Sequence, residues 1–183
     1  MAAEARVIAD LRHMTAAWDA SPRKICLIAA RRAPFYPALT AMVLVRGSMW
    51  AYRRRLTPLA HLLKARAIRV AGVEVHPKAD IGPGFAFVHS VGIVIGADVV
   101  AGRDLVVHQG VTIGNRGADP GQPVIGDGVR IGAGALVLGA VQVGDGARIG
   151  AGAVVLADVP AGEVVTGTWT SHRLSDWRAS RPA

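Results

Sequence analysis

Imidazole is the side chain whose proton affinity lies near neutrality, so the six histidines of this 183-residue chain are the first places to look for proton-transfer chemistry. Few of them stand in a pattern. His13, His61 and His172 belong to no motif, and His76, just before Pro77, reads as structural. His89 and His108 are 19 residues apart, a spacing whose meaning depends on the architecture that carries them. No grouping of histidine and cysteine has zinc-ligand spacing and no CxxC occurs, so no metal is expected. The single cysteine, Cys26, has no partner for an internal disulfide and reads as a buried thiol in a reducing compartment. Gly-x-Gly pairs such as Gly82/Gly84 and Gly132/Gly134 are not a dinucleotide fingerprint, because no helix follows a strand there.

A repeat positions these residues. Bulky apolar side chains recur every six positions at Val75, Ile81, Phe87, Ile93, Val99, Leu105 and Val111, and, after eight extra residues, at Ile125, Ile131, Val137, Val143, Ile149 and Val155. A helix would repeat near 3.6 and a strand near 2. A period of six with one large apolar residue fits a narrow triangular prism of short strands, each unit forming one face and about 18 residues closing a turn. His108, one such turn plus one position beyond His89, is then expected beside that residue's coil. Glycines in Ile81-Gly-Pro-Gly, Ile125-Gly-Asp-Gly, Ile131-Gly-Ala-Gly, Val143-Gly-Asp-Gly and Ile149-Gly-Ala-Gly mark corners. Small residues two positions before the bulky one, at Ala79, Ala97, Ala135, Ala147 and Ala153, suit the little room inside. A disordered glycine-rich stretch would not hold its apolar residues in register.

Residues 1–71 read as a helical N-terminal extension in which Pro22, Pro34, Pro37 and Pro58 punctuate Ala-, Leu- and Arg-rich runs. Residues 72–167 carry the repeat, interrupted by a polar loop at 117–124, and 168–183 form a tail with Trp169, Trp177 and three arginines. The formal charge of +8 is unevenly spread: residues 1–70 hold 13 Lys and Arg against 3 acids, the remainder 8 against 10. The apolar run Ala38 to Met49 is interrupted by Arg46 and is too short to span a membrane. Helices packed on the solenoid or on a neighbouring chain, with solvated arginines, account for it better than peripheral membrane contact, and no motif points to nucleic acid. No basic segment followed by an apolar stretch and a cleavage site opens the sequence, so a cytoplasmic location is expected.

Val73-Glu-Val-His-Pro, Ile81-Gly, Phe87-Val-His-Ser, His108-Gln-Gly-Val-Thr-Ile-Gly and Ile131-Gly-Ala-Gly-Ala together resemble the serine acetyltransferase branch of the hexapeptide-repeat acyltransferases, over about residues 72 to 166. Val111-Thr-Ile-Gly-Asn-Arg-Gly-Ala-Asp is also similar to colanic-acid-type exopolysaccharide acetyltransferases. The resemblance implies a mainly β protein, a left-handed parallel β-helix of hexapeptide repeats. It implies a homotrimer with sites between subunits, which moves an acetyl group from acetyl-CoA, its co-substrate, to an alcohol. His89 inherits the role of general base, and Glu74, where the family has aspartate, would fix its tautomer. Gly114 and Asn115 would lie near the thioester, with a backbone amide close to Asn115 facing the oxyanion. Ala133 would meet the coenzyme through its backbone and Arg148 would approach its phosphates. Asp19, Arg116 and His108 are the expected acceptor-binding residues.

The chain departs from the family at the acceptor. Serine acetyltransferases carry Arg-His-Pro at the end of the inserted loop to hold the amino acid's carboxylate, and here the triplet is Gly121-Gln122-Pro123. They also place an aspartate before the catalytic histidine, where this chain has Val88. A charge-assisted hydrogen bond is worth about 1.5–3 kcal/mol. Serine or a serine-like small molecule and a sugar hydroxyl of a polysaccharide or secondary metabolite are therefore both open as acceptors. From a different class, a non-catalytic solenoid scaffold docking through its basic extension also fits the missing pair.

Overall fold

The computed structural model describes residues 3–117 and 121–169. Four helices precede the repeat: α1 (Ala3–Thr15), α2 (Pro22–Arg32), α3 (Pro37–Arg53) and α4 (Thr57–Ala71). The prolines act as starts, since Pro22, Pro37 and Pro58 each lie in a first turn, where an amide would have no partner. Ser21 Oγ caps α2 by accepting from Lys24 N at 3.4 Å. Gly72, at φ +66°, ends α4 with its amide donating to Ile68 O at 2.8 Å. Along α3, Ala41, Met42, Val45 and Met49 recur at helical spacing and enter the solenoid's core. No helix among the described residues is long and apolar enough to cross a membrane. Cys26 is exposed, which corrects the expectation of a buried thiol: Ile25 and Ala29 carry the inward face of α2 and Cys26 falls outside it.

From Val73 the described residues wind through fifteen short strands, three in each of the first four turns and two in the fifth, with β15 beginning a sixth. One parallel sheet stacks β1 (Val73–Val75), β4 (Ile93–Ile95), β7 (Thr112–Gly114), β10 (Leu136–Leu138), β13 (Val154–Val155) and β15 (Thr168–Trp169). A second stacks β2 (Asp80–Ile81), β5 (Val100–Ala101), β8 (Val124–Ile125) and β11 (Gln142–Val143). The third stacks β3 (Ala86–Val88), β6 (Val106–His108), β9 (Arg130–Ile131), β12 (Arg148–Ile149) and β14 (Val164–Val165). All thirteen bulky positions of the six-residue pattern are buried. The two glycines of a corner do different work. A Cβ on Gly132 would sit 2.6 Å from Ala151 N in the next coil, whereas Gly134 takes the left-handed φ of +68°.

The register differs from an unbroken six. Phe87 lies beside Val107, 20 residues on, and Ile95 beside Ile113, 18 on. The eight extra residues assigned to one loop are thus divided: two enter at the corner after β3 and six in the loop after β7. The sequence conceals this because two neighbouring columns are apolar. Ile93, Val99, Leu105 and Val111 are buried, and so are Ile95, Ala101, Val107 and Ile113, two positions later. Small size before the bulky residue also fails as a rule, since Phe85 is fully buried there and packs edge-on to Phe87 with ring centroids 4.8 Å apart. Ala97 is only half-buried. Thr168 and Trp169, assigned to the tail, add a strand on β13, and Trp169 Nε1 donates to Asp158 O at 3.0 Å. Trp177, His172 and the tail arginines lie outside the described residues, as do residues 118–120 of the loop.

The helices are fastened to the corner between β2 and β3 by a buried ion pair. Arg46 Nε donates to Asp10 Oδ2 and its Nη2 to Oδ1 at 3.0 Å, while the same guanidinium reaches Ile81 O at 2.7 Å and Gly82 O at 2.6 Å. Asp10 Oδ1 also accepts from the amides of Gly84 and Phe85, both at 2.9 Å. Arg6 and Arg53 add contacts to Asp80 at 3.2 and 2.6 Å. Removing one partner of a buried pair typically costs about 3–5 kcal/mol. Arg46→Met is therefore expected to lower the thermal midpoint at roughly 2–4 °C per kcal/mol, whereas Arg53→Met, at the half-exposed contact, leaves it nearly unchanged. Differential scanning calorimetry of the two variants checks this.

Candidate functional site

The two extra residues of the first turn can be named. Val88 pairs with His108, while Val91 O accepts from Gly110 N as Gln109 O does from Gly134 N one coil further on. His89 and Ser90 therefore have no counterpart in the next coil. His89 is exposed on this bulge with φ +58°, a left-handed backbone that costs a non-glycine residue about 1–2 kcal/mol. Ser90 is 8% exposed. Bulges re-aim side chains, and strained non-glycine residues concentrate where function maintains them. His108 does adjoin the coil of His89, but through a 20-residue register, and it stands beside Val88.

The bulge opens onto a cleft of about 1020 Å³ between the helical layer and the outer face of the β3–β6–β9 sheet. Ala86, Val106 and Arg130 occupy one outward column of that sheet and form the floor. Ala86 and Val106 are 5% and 7% exposed although they point away from the prism axis, and α1 packs on β3 beside them. The helices and their connections make the opposite wall, among them His13, Trp18, Arg32, Phe35 and Tyr36. His13 Nε2 lies 3.0 Å from Asp104 Oδ1 and its ring meets Trp18 edge-on at 4.5 Å. Phe35 is 81% exposed and Tyr36 60%. Sequence patterns missed His13, because its partner lies 91 residues away. Arg130 was detectable, since it precedes Ile131 as Arg148 precedes Ile149 one 18-residue turn later.

Other expected site residues are dispersed. Glu74 Oε1 is 2.7 Å from Lys64 Nζ, and no hydrogen bond joins Glu74 to His89 among the described residues. Ala133 lies on the same prism edge as His89, its carbonyl accepting from Gly152 N in the column that holds Val91 and Gln109. Gly114 and Asn115 lie on a different edge, where the chain leaves β7 for the loop, and Asn115 Nδ2 donates to Gly117 O at 2.9 Å. Arg116 is exposed near Gly139 and Arg148 is exposed beside Arg130 in register. Asp19 is exposed next to Trp18. Among the described residues no cluster could hold a metal ion.

His76 belongs to the solenoid's mouth, with its Nδ1 accepting from Lys78 N at 3.1 Å and its ring 6.2 Å from that of His61. Burial, reinforced by the charges of Lys64 and His61, holds its imidazole below the ordinary value. The fold therefore favours neutral His76. Its contribution is complete above the unfolded value near 6.5 and is lost as pH falls through the lower folded value. His76→Gln is expected to flatten the fall of the thermal midpoint over the range just below about pH 6.5, measured against the parent chain in matched buffers.

Residues 122–157 match the family model described as bacterial transferase hexapeptide (six repeats). A serine acetyltransferase of Synechococcus elongatus is 42% identical over 86 residues, which are 47% of this chain and 35% of that protein. The Neisseria gonorrhoeae serine acetyltransferase, solved in complex with serine, superposes with a TM-score of 0.77 at 34% identity, covering 90% of this chain and 66% of that one. Soybean serine acetyltransferase complexed with serine gives 0.76 at 36% identity, covering 92% and 67%. This chain thus spans about a third of that curated relative and about two thirds of the solved chains. The superpositions agree with the left-handed parallel β-helix implied by the sequence motifs.

Proposed function

The chain belongs to the serine acetyltransferase family, and from that premise we propose that it is an O-acetyltransferase that moves an acetyl group from acetyl-CoA to the hydroxyl of serine or a similarly small acceptor. The observation that carries this reading is His89, the imidazole extruded by a two-residue bulge at the rim of the large cleft. An alcohol attacks a thioester poorly until a base takes its proton, and neutral imidazole does this near pH 7. His89 accepts the hydroxyl proton as the alcohol oxygen bonds to the acetyl carbon. A backbone amide close to Asn115 stabilises the resulting oxyanion. The carbon–sulfur bond then breaks, the sulfur takes the proton from the imidazolium, and ester and free coenzyme A leave.

Glu74 is the carboxylate assigned to orient the imidazole, and to do so it must exchange Lys64 for His89. The exchange is cheap: the pair is partly exposed, with Glu74 at 45%, and such pairs contribute about 0–1 kcal/mol. In one chain His89 and Asn115 occupy different edges of the prism, so the proposed homotrimer is what brings a neighbour's Asn115 segment to His89. Ala133 and Arg148 are the assigned coenzyme contacts. Arg148 makes no ion pair among the described residues, which leaves its guanidinium available to a phosphate. His108, Arg116 and Asp19 remain assigned to the acceptor. A cytoplasmic location accords with coenzyme A as co-substrate.

A sugar hydroxyl is the second acceptor reading, and the exposed rings of Trp18, Phe35 and Tyr36 in the cleft favour it because sugar faces stack on aromatic rings. General-base catalysis is worth about 10²–10⁴-fold. His89→Ala is expected to lower kcat by that order in a thiol-release assay with acetyl-CoA while leaving acetyl-CoA affinity intact by calorimetry. Unchanged turnover would remove His89 as the base.

A further inference from the structure

The cleft has a charge imbalance that the assigned residues do not explain. Arg130 rises from the end of its floor and Arg32 from the helical wall, and no aspartate or glutamate is among the described residues that line it. Arg32 spends one donor on Thr15 O at 3.3 Å. Arg130 has no side-chain hydrogen bond or ion pair to another described residue, and Arg148 stands directly beside it on the next strand. Neighbouring strands are about 4.8 Å apart, and like charges directly opposite each other are unfavourable until an anion lies between or before them. A guanidinium left unpaired beside a second one, on the wall of a cleft that also holds the candidate base, is a site for a carboxylate or phosphate oxygen pair.

Resting on the O-acetyltransferase reading, we propose that Arg130, assisted by Arg32 across the cleft, binds the anionic group of the acceptor, a carboxylate or a phosphate. Arg130 then takes over the task that Gly121 and Gln122 do not provide: Gln122 packs its Oε1 against Gly96, and neither residue lines the cleft. Because the lining offers two cations and no carboxylate, the acceptor's anionic group matters more to binding than any amine it carries. Arg130 is a specificity-determining residue on this reading, and His89 remains the group that moves the proton.

The test uses the full chain with acetyl-CoA and four acceptors of like hydroxyl chemistry: glycerol, glycerate, glycerol 3-phosphate and L-serine. Binding is measured by calorimetry and turnover by thiol release. Glycerol is expected to be the weakest. Arg130→Gln should raise Kd and KM for the anionic acceptors by about 10- to 100-fold, the equivalent of a charge-assisted hydrogen bond. It should leave glycerol, kcat and the KM for acetyl-CoA unchanged, and Arg130→Lys should recover part of the loss. Preference for glycerate over glycerol 3-phosphate assigns a carboxylate, and the reverse a phosphate; either order supports the inference. Equal effects of Arg130→Gln on glycerol and glycerate, or no binding of any anionic acceptor at millimolar concentration, would overturn it. Should the parent bind glycerate through Arg130 yet release no thiol, the acyl-transfer reading fails and the anion site stands. Should glycerol turn over as well as glycerate, transfer stands and the anion site fails.

Discussion

The Asp10–Arg46 pair determines where everything else sits. Two charges buried together lose their hydration, and the direction of the Asp10 shift records that cost: burial pushes its carboxyl above the ordinary range, against the opposing pull of Arg46 and the Gly84 and Phe85 amides. Such a pair is worth keeping only when its lone pairs and protons are satisfied. Here they are, because the carboxylate accepts from the guanidinium and two corner amides while the guanidinium donates to two corner carbonyls. An apolar contact could slide along the prism. This set of directional bonds allows one seat for α1 and α3, and the cleft exists because the helices are held there.

From that seat α1 roofs the β3 end of one sheet and leaves the β9 end open, which turns an ordinary solenoid face into a cleft with an apolar base and a basic far end. The same placement gives part of the extension's positive charge a task. Arg6, Arg46 and Arg53 approach carbonyls and carboxylates of β2 and the corner after it, while Arg32 turns into the cleft. Much of the rest of the extension's charge is solvated as expected, with Arg23, Arg31, Arg54, Arg55, Arg66 and Arg69 all exposed.

The bulge at His89 and Ser90 complements this arrangement. The regular corner one coil further on, from β6 to β7, lacks the two residues that carry the His89 imidazole here. Two inserted residues break the stacking locally, at the cost of a left-handed backbone at His89, and do so without disturbing Phe87 or Ile95 on either side. On the proposed reading, the reactive group is thus carried by an irregularity on a rigid frame. The solenoid's regularity supplies stiffness, and the departure from it supplies the chemistry.

Sequence alone determined the prism, because a bulky apolar residue every six positions has no other way to reach a common axis, and Val75 to Val155 are all buried as that requires. It also singled out His89, through a short motif. It could not locate the two-residue insertion, since Ile93 and Ile95, like Val111 and Ile113, are alternate residues of one strand or corner that both face inward, and apolar type does not distinguish them. The cleft, the His13–Asp104 contact, the Glu74–Lys64 pairing and the exposure of Arg130 were decided by tertiary structure. Each depends on which helix face meets which sheet at sequence separations of 10 to 91 residues, and local periodicity holds no record of distances that only packing sets.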